Sequence, residues 1–463
     1  MHFKMFLYSA LLVAACQETP SWMPGSQDDE QGTPSRPSQS APEVTDSSLP
    51  ADPIYKAAIT NLDYLKASVN LDPWLRRGHH GERLTIAILD NGFGGLKDVI
   101  GKQLPPDTKV EPSKLNNESP TPHGTKLAEI IFAMTSGSPR WTSESKHPRI
   151  KLYNSNGFTN FSAAVDQAIS DKVDMIVYSQ VWEFGGNFDG GGFINAAVNK
   201  ATNAGILWIN AAGNYASSSW QGSIQFRRDG TVLLPYQENY VRLVVNETAT
   251  AVKITLAWND FADTKDWRTS RDLDLVLLDS KKREIAASQL IQDGVDHGKD
   301  PKYSSHAREM ISTNLQPGVY LLKVIARSRN FDGASRLRLA ADGVNISFLD
   351  QSPFASVMIP ADNPNVLTVG ASDDDHSSAG PTMAGFTKPE IVAPSIIEVE
   401  GAFAFQGSST AAAVAAATLA VYQEACGVKF TRRQLLDRII DGRISQTSTK
   451  GLGLWLNEDS VCR

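Results

Sequence analysis

A chain of 463 residues is too long for one simple core, so two folded domains with additional segments are expected. Its 41% hydrophobic and 21% charged residues are ordinary for a globular protein. The 51 acidic and 44 basic residues give a formal charge of -7 with no basic run, which argues against a nucleic-acid partner.

Residues 1–15 carry one lysine, Lys4, followed by an apolar run from Met5 to Ala15. That run falls well short of the ~20 residues of a spanning helix and has the length of a signal-peptide core. Cys16 follows directly, and Val13-Ala14-Ala15-Cys16 resembles the bacterial lipobox, whose cysteine becomes the lipidated N-terminus. Gln17 after the cysteine is what that resemblance associates with an outer-membrane destination. Ordinary signal cleavage beside an incidental cysteine is the alternative. Residues 16–50, rich in Pro, Ser, Gln, Asp and Glu, read as a disordered tether. Residues 52–78 look partly helical, with Asp52-Pro53 as a start.

The near-continuous apolar run Leu84–Leu89 reads as a central parallel strand with Asp90 at its C-terminal end. Open α/β sheets place ligands and reactive groups there. Taken alone, Asp90 reads more readily as a turn residue before Gly92. A helix opens at His123, a position where a lone histidine is ordinarily a structural residue. Strand-like Ile150–Tyr153, Asp174–Ser179 and Ile206–Ile209 then alternate with helical Phe161–Asp171 and Ile194–Ala204. That rhythm implies a doubly wound parallel sheet, with Asn214 just past a strand end and Gly213 beside it.

From about Phe226 to Leu349 the rhythm changes to period-two runs such as Val252/Ile254/Leu256/Trp258, punctuated by turn signals. An antiparallel sandwich or jelly roll is expected there, inserted into the α/β domain. The α/β pattern resumes with Asn365–Gly370 and Lys388–Pro394. It then reaches Gly407-Ser-Ser409-Thr-Ala411, which opens an alanine-dense helix, and ends in a last helix over Thr431–Gly442. The divisions expected are 1–15 signal, 16–50 tether, 51–222 and 353–463 for the two parts of the α/β domain, and 223–352 for the insert.

Serine-dependent acyl transfer needs a nucleophile, a base, an acid that orients the base, and an oxyanion donor. Ser409, His123, Asp90 and Asn214 supply one each, in the chain order Asp, His, Ser of the subtilisin arrangement. An α/β-hydrolase is excluded, because no second glycine follows the serine and no histidine occurs after His376. Asp90-Asn-Gly92, His123-Gly-Thr125, Asn210-Ala-Ala-Gly-Asn214 and Gly407-Ser-Ser409-Thr-Ala411 together resemble the subtilisin-like serine peptidases (subtilases). The resemblance covers roughly 84–221 and 357–423. It implies that Asp90, His123 and Ser409 are catalytic and Asn214 the oxyanion donor. It also implies that Ser179, Gln180, Val181, Ala212 and Gly213 bind the substrate backbone, with protein or peptide substrates and no cofactor needed for catalysis.

Several departures stand out. Ser179-Gln-Val-Trp182 replaces the family's Ser-Leu-Gly-Gly, so Val181 is expected to narrow the primary pocket and favour small residues before the cleaved bond. Ser408 stands where the family has Thr and is expected to face away from His123. With 17–50 read as tether, residues 51–83 are expected to be too few for a pro-domain of family size. Asp260, Asp263, Asp266, Asp272 and Asp274 are candidate calcium ligands, although a solvated acidic loop is the preferred reading, and Asp373-Asp-Asp375 is read likewise. His297 and His306 read as surface residues, and Gly190-Gly-Gly192 as a flexible rim loop. With Cys16 lipidated, Cys426 and Cys462 remain as the two thiols of an oxidising compartment and are expected to pair.

The reading is thus an exported, membrane-tethered serine endopeptidase, a bacterial lipoprotein of the outer membrane or cell surface. The alternatives are a subtilase-fold binding lipoprotein that has lost activity, and a carbohydrate-binding lipoprotein resting on the β domain alone.

Overall fold

The computed structural model describes residues 58–352, 355–400, 402–457 and 462. The expected signal, Cys16, the tether and the helix start at Asp52-Pro53 lie outside the described residues.

Helices α1 (Leu62–Ser68) and α2 (Asp72–Arg76) lead into β1 (Thr85–Asp90). Next come α3 (Leu96–Val99), β2 (Val110–Glu111), α4 (His123–Ser136), β3 (Arg149–Asn154), α5 (Gly157–Ser170) and β4 (Met175–Tyr178). They are followed by α6 (Phe193–Asn203) and β5 (Leu207–Ala211). The all-β excursion holds β6 (Ser219–Ser223), β7 (Val241–Val245), β8 (Ala249–Trp258), β9 (Leu273–Leu278), β10 (Glu284–Ser288) and β11 (Arg308–Leu315). It continues through β12 (Gly318–Ala326), β13 (Arg336–Asp342) and β14 (Ile346–Phe348). The chain returns through β15 (Leu367–Ala371), β16 (Ile391–Ala393), the hairpin β17 (Ile397–Val399)–β18 (Ala402–Phe405) and α7 (Ser408–Cys426). It closes with α8 (Arg432–Ile440), β19 (Ser445–Ser448) and β20 (Gly451–Leu454).

The nine-stranded sheet has the order β19-β20-β16-β15-β5-β4-β1-β3-β2 and is parallel from β20 to β2. Alternation along each strand sends Ile86, Ile88, Val177 and Ile209 into the layer under α4 and α7. Ala87, Leu89, Ile176, Tyr178 and Trp208 go to the face covered by α5 and α6. Because β1 pairs with β3 on one side and β4 on the other, the crevice beyond their C-terminal ends is a topological switch point. Asp90 ends β1 at that crevice, and Ser179 follows β4 there. Helix α7 is buried from Ser408 to Gln423, and its alanines permit close approach: a Cβ on Gly81 would lie 3.2 Å from Ala420 Cβ.

Strands β6 to β14 form two antiparallel sheets, β10-β9-β12-β7-β14 and β11-β8-β13-β6. Val252, Ile254, Leu256 and Trp258 of β8 are all buried, as period two requires. One apolar core runs from beneath α5 and α6 into the sandwich, so the insert is fused to the α/β layer through packing. Among the described residues no helix is long and apolar enough to cross a membrane.

Several readings of single residues are corrected by packing. His306, expected at the surface, lies 5.8–6.5 Å from the rings of Phe184, Phe193 and Phe261. Burial there pushes its pKa down to about 4, with the charge of Arg308 adding to the effect. An unfolded histidine titrates near ~6.5, so the folded chain binds fewer protons between those values. The stability that neutral His306 contributes is complete above about 6.5 and lost as pH falls through about 4, on the order of 3 kcal/mol. Urea unfolding of wild type is expected to weaken more steeply over this window than that of His306→Phe, and parallel curves would contradict the assignment.

The acidic stretch is not one solvated loop. Asp274 is buried and pairs with Arg327, while Asp263 accepts from Gly192 N at 3.1 Å. Burial, helped by the charge of Asp274, raises Asp272 to about 6. Among the described residues no group of three or more His, Cys, Asp or Glu is placed to hold a metal ion. Asp374 is buried and bonded to His376, and Asp373 accepts from Ser395 N at 2.9 Å. The glycine run is tied down on both sides, since Gly190 N also donates to Asp362 Oδ2 at 3.1 Å.

Cys426 and Cys462 are joined by a disulfide that closes a segment of 36 residues across the end of α7. A loop of that length contributes ~3–4 kcal/mol in the chain-entropy account.

Candidate active site

Asp90 and His123 come together because α4 begins beside the end of β1. Gly124 makes this approach possible: a Cβ there would stand 2.8 Å from Asp90 Cβ and 2.4 Å from the Phe93 ring. The His123 Nδ1 to Asp90 Oδ2 distance is 2.6 Å, with side-chain exposures of 1% and 0%. A carboxylate cannot donate, so the shared proton sits on Nδ1 and Nε2 is left as the basic nitrogen. The other oxygen, Asp90 Oδ1, accepts from Gly92 N at 3.3 Å. Glu118 accepts from Phe93 N nearby; burial raises its pKa, and the charge of Asp90 adds to this.

Ser409 is the second residue of α7, where unpaired N–H groups and the helix dipole favour negative charge. Its Oγ donates to Ser179 O at 3.0 Å, and Ser179 Oγ donates back to Ser409 O at 3.2 Å. The helix start is thereby fastened to the end of β4.

Ser408 faces Asn214. Its N and its Oγ each donate to Asn214 Oδ1 at 3.0 Å, and its Oγ accepts from Gly213 N at 3.1 Å. The carbonyl end of Asn214 is thus held on this turn, and Nδ2 is its donor end. Gly407, at φ +124, makes room: a Cβ there would lie 2.8 Å from Asn214 Nδ2. The structure thus gives Ser408 an orienting contact that Gly407-Ser-Ser409 did not reveal.

Gln180 has an unexpected neighbour. Its Nε2 lies 3.3 Å from His123 Nδ1, and its Oε1 accepts from Asn91 Nδ2 at 3.2 Å. The sequence signal was present, since Gln stands where an apolar residue is usual, but only the β4–α4 proximity explains it. Val181 packs with Tyr215, Ala340 and Met358. Ala212 O accepts from Met358 N at 3.4 Å, and Gly213 O accepts from Ser378 N at 2.8 Å. A cavity of about 270 Å³ lined by Lys172, Asp174 and Lys429 adjoins the N-terminal ends of β4 and β5, away from Ser409.

A parallel α/β sheet that brings Asp, His and Ser, in that chain order, to the C-terminal ends of its strands defines the subtilisin class. The chain belongs to the subtilase family, whose sequence profile matches residues 81–310 and 332–454. It is 28% identical over 151 residues to the thermostable alkaline protease of Halalkalibacterium halodurans, covering 32% of this chain and 40% of that protein. The chain therefore spans well under half the length of this curated relative. Among solved structures it resembles the CspB protease of Clostridium perfringens, with a TM-score of 0.51 and 14% identity over 85% of this chain and 97% of that one. At that identity the likeness speaks for the fold alone.

Proposed function

We propose that the protein is a serine endopeptidase that hydrolyses protein or peptide substrates. The observation that carries this reading is the buried His123–Asp90 pair at 2.6 Å, set at the same sheet edge as Ser409 and Asn214. Ser409 Oγ turns from Ser179 O toward His123 Nε2, gives up its proton there and bonds to the substrate carbonyl carbon. Asp90 holds the imidazole in its tautomer and stabilises the cation formed. The oxyanion accepts from Asn214 Nδ2 and the Ser409 backbone N–H, and His123 returns the proton to the leaving amine. Water then opens the acyl-enzyme by the same route. The chemistry calls on no metal or organic cofactor.

The test is covalent labelling of the purified protein with a fluorophosphonate probe. Labelling that maps to Ser409 supports the reading, and a folded protein that never labels favours a binding lipoprotein. The hydrogen bond from Ser409 to Ser179 O is the observation on which that second reading rests.

We also place the protein outside the cytoplasm, on a membrane through lipid on Cys16. Support comes from the lipobox-like Val13-Ala14-Ala15-Cys16 and from the disulfide, which suits an oxidising compartment. Cys16→Ser is expected to move the exported protein from the membrane to the soluble fraction. A variant that stays with the membrane would remove the anchor from the account.

A further inference from the structure

Strands β1, β3 and β4 run parallel, so the edge at which they begin faces away from Asp90 and Ser179 at their C-terminal ends. A strand of six residues, such as β1, sets the two edges ~20 Å apart. The strand starts are level with one another. Arg149 N donates to Leu84 O and Asp174 N to Thr85 O, each at 2.9 Å, and Thr85 N donates to Asp174 Oδ2 at 2.8 Å.

This starting edge is basic. Arg83 precedes β1, Arg149 opens β3 and Lys172 precedes β4; all three are exposed and, among the described residues, have no carboxylate partner. Lys429, in the turn between α7 and α8, joins them through its pair with Asp174, and Lys146 joins through Glu82 at 3.8 Å. The carboxylates beside them are largely spent. Asp174 is held by Thr85 N and Lys429, and Glu424 Oε2 accepts from His80 N and Gly81 N, each at 2.7 Å. In a chain of formal charge -7, this edge runs against the overall sign. It also holds a recess, the cavity of about 270 Å³ lined by Lys172 and Lys429, with Gln423 and Thr431 as further polar walls. Lys172 brings to it an ammonium group that no carboxylate shares, which suits a phosphate.

We propose that this edge is a docking face for anionic lipid headgroups, with one phosphate entering the cavity lined by Lys172 and Lys429. The inference rests on the membrane placement above. Lipid rather than nucleic acid is the partner, because the cations come singly from separate strand starts and a turn, with no basic run. The 42 positions from Cys16 to Ala58 (58 − 16) reach up to ~140 Å, enough for the body to lie on the surface that lipid on Cys16 would hold. Docked this way, the catalytic edge points away from the membrane, toward substrates in the medium. The attraction of each charge is weak and screened by salt, so the face orients a tethered body and does not retain an untethered one.

The experiment takes the exported full chain carrying Cys16→Ser into a flotation assay at low salt. The vesicles are phosphatidylcholine alone, or phosphatidylcholine mixed with phosphatidylglycerol. The protein is expected to float with the mixed vesicles only and to be released by raised salt. Arg149→Glu combined with Lys172→Glu is expected to lower the bound fraction at least ~10-fold. The same charge change on the insert, Lys281→Glu with Lys299→Glu, is expected to lower it far less. Should the first pair fail to fold, Arg83→Gln with Arg149→Gln, the milder change, decides by the same comparison. Equal binding to both vesicles, binding to neither, or equal losses from the two pairs of variants overturns the proposal. So does release by inorganic phosphate at an ionic strength where sodium chloride releases nothing, which would give the cavity to a soluble phosphate. Wild type that sediments with membranes while the Cys16→Ser protein ignores vesicles removes this face and keeps the anchor. Wild type that is soluble removes the anchor first, and this inference with it.

Discussion

Ser409→Ala is expected to abolish fluorophosphonate labelling and to lower hydrolysis by ~10⁶-fold, the figure being that of subtilisin's own serine. On the proposed mechanism the loss is this large because the hydroxyl, His123 and Asp90 would work as one unit, and none of them would replace the bond from Ser409 Oγ to the carbonyl carbon. The adjacent Ser408 provides the contrast. Its Oγ is spent on Asn214 Oδ1 and Gly213 N, so Ser408→Ala is expected to keep labelling. Its turnover should fall by up to about tenfold, the worth of one net hydrogen bond. Mass spectrometry of the labelled peptide separates the two serines. Labelling that survives in Ser409→Ala and disappears in Ser408→Ala would reverse the assignment.

Asn214→Ala is expected to lower kcat by ~10²–10³-fold with little change in KM, again the figure of subtilisin's own asparagine. The asymmetry follows from when the interaction forms. The substrate carbonyl oxygen gains its negative charge only as Ser409 attacks, so the amide stabilises the transition state more than the bound substrate. Ser408 keeps the carbonyl end of Asn214 on the turn, and so this donor is pre-oriented at no cost during the reaction. A raised KM with kcat unchanged would instead mean that Asn214 binds the bound substrate and the transition state alike. Steady-state kinetics on a single peptide distinguishes these outcomes.

Much of this protein was legible in one dimension. Short apolar runs without alternation, such as Leu84–Leu89, read as strands buried on both faces, and the turn to period two after Phe226 marked the insert. The order of Asp90, His123, Asn214 and Ser409, each at a strand end or helix start, was enough to place four groups at one sheet edge. The expectation that Cys426 and Cys462 would be the two thiols left in an oxidising compartment was enough to pair them, and the structure joins them.

What only tertiary structure decided lies where segments distant in sequence meet. Gln180 is two residues past β4, and nothing local brings it to His123; the parallel pairing of β1 with β4 does. His306 sits in a polar stretch and looks solvated, yet the contact between the insert and α6 surrounds it with phenylalanines. Asp274 lies in an acidic run, yet β9 turns it inward onto Arg327. The packing behind Val181 is another such case, because Ala340 comes from within the sandwich and Met358 from beyond it. Periodicity and motif spacing report which face or edge a residue occupies. The neighbour it meets there is set by how sheets stack, and burial then fixes its charge and role.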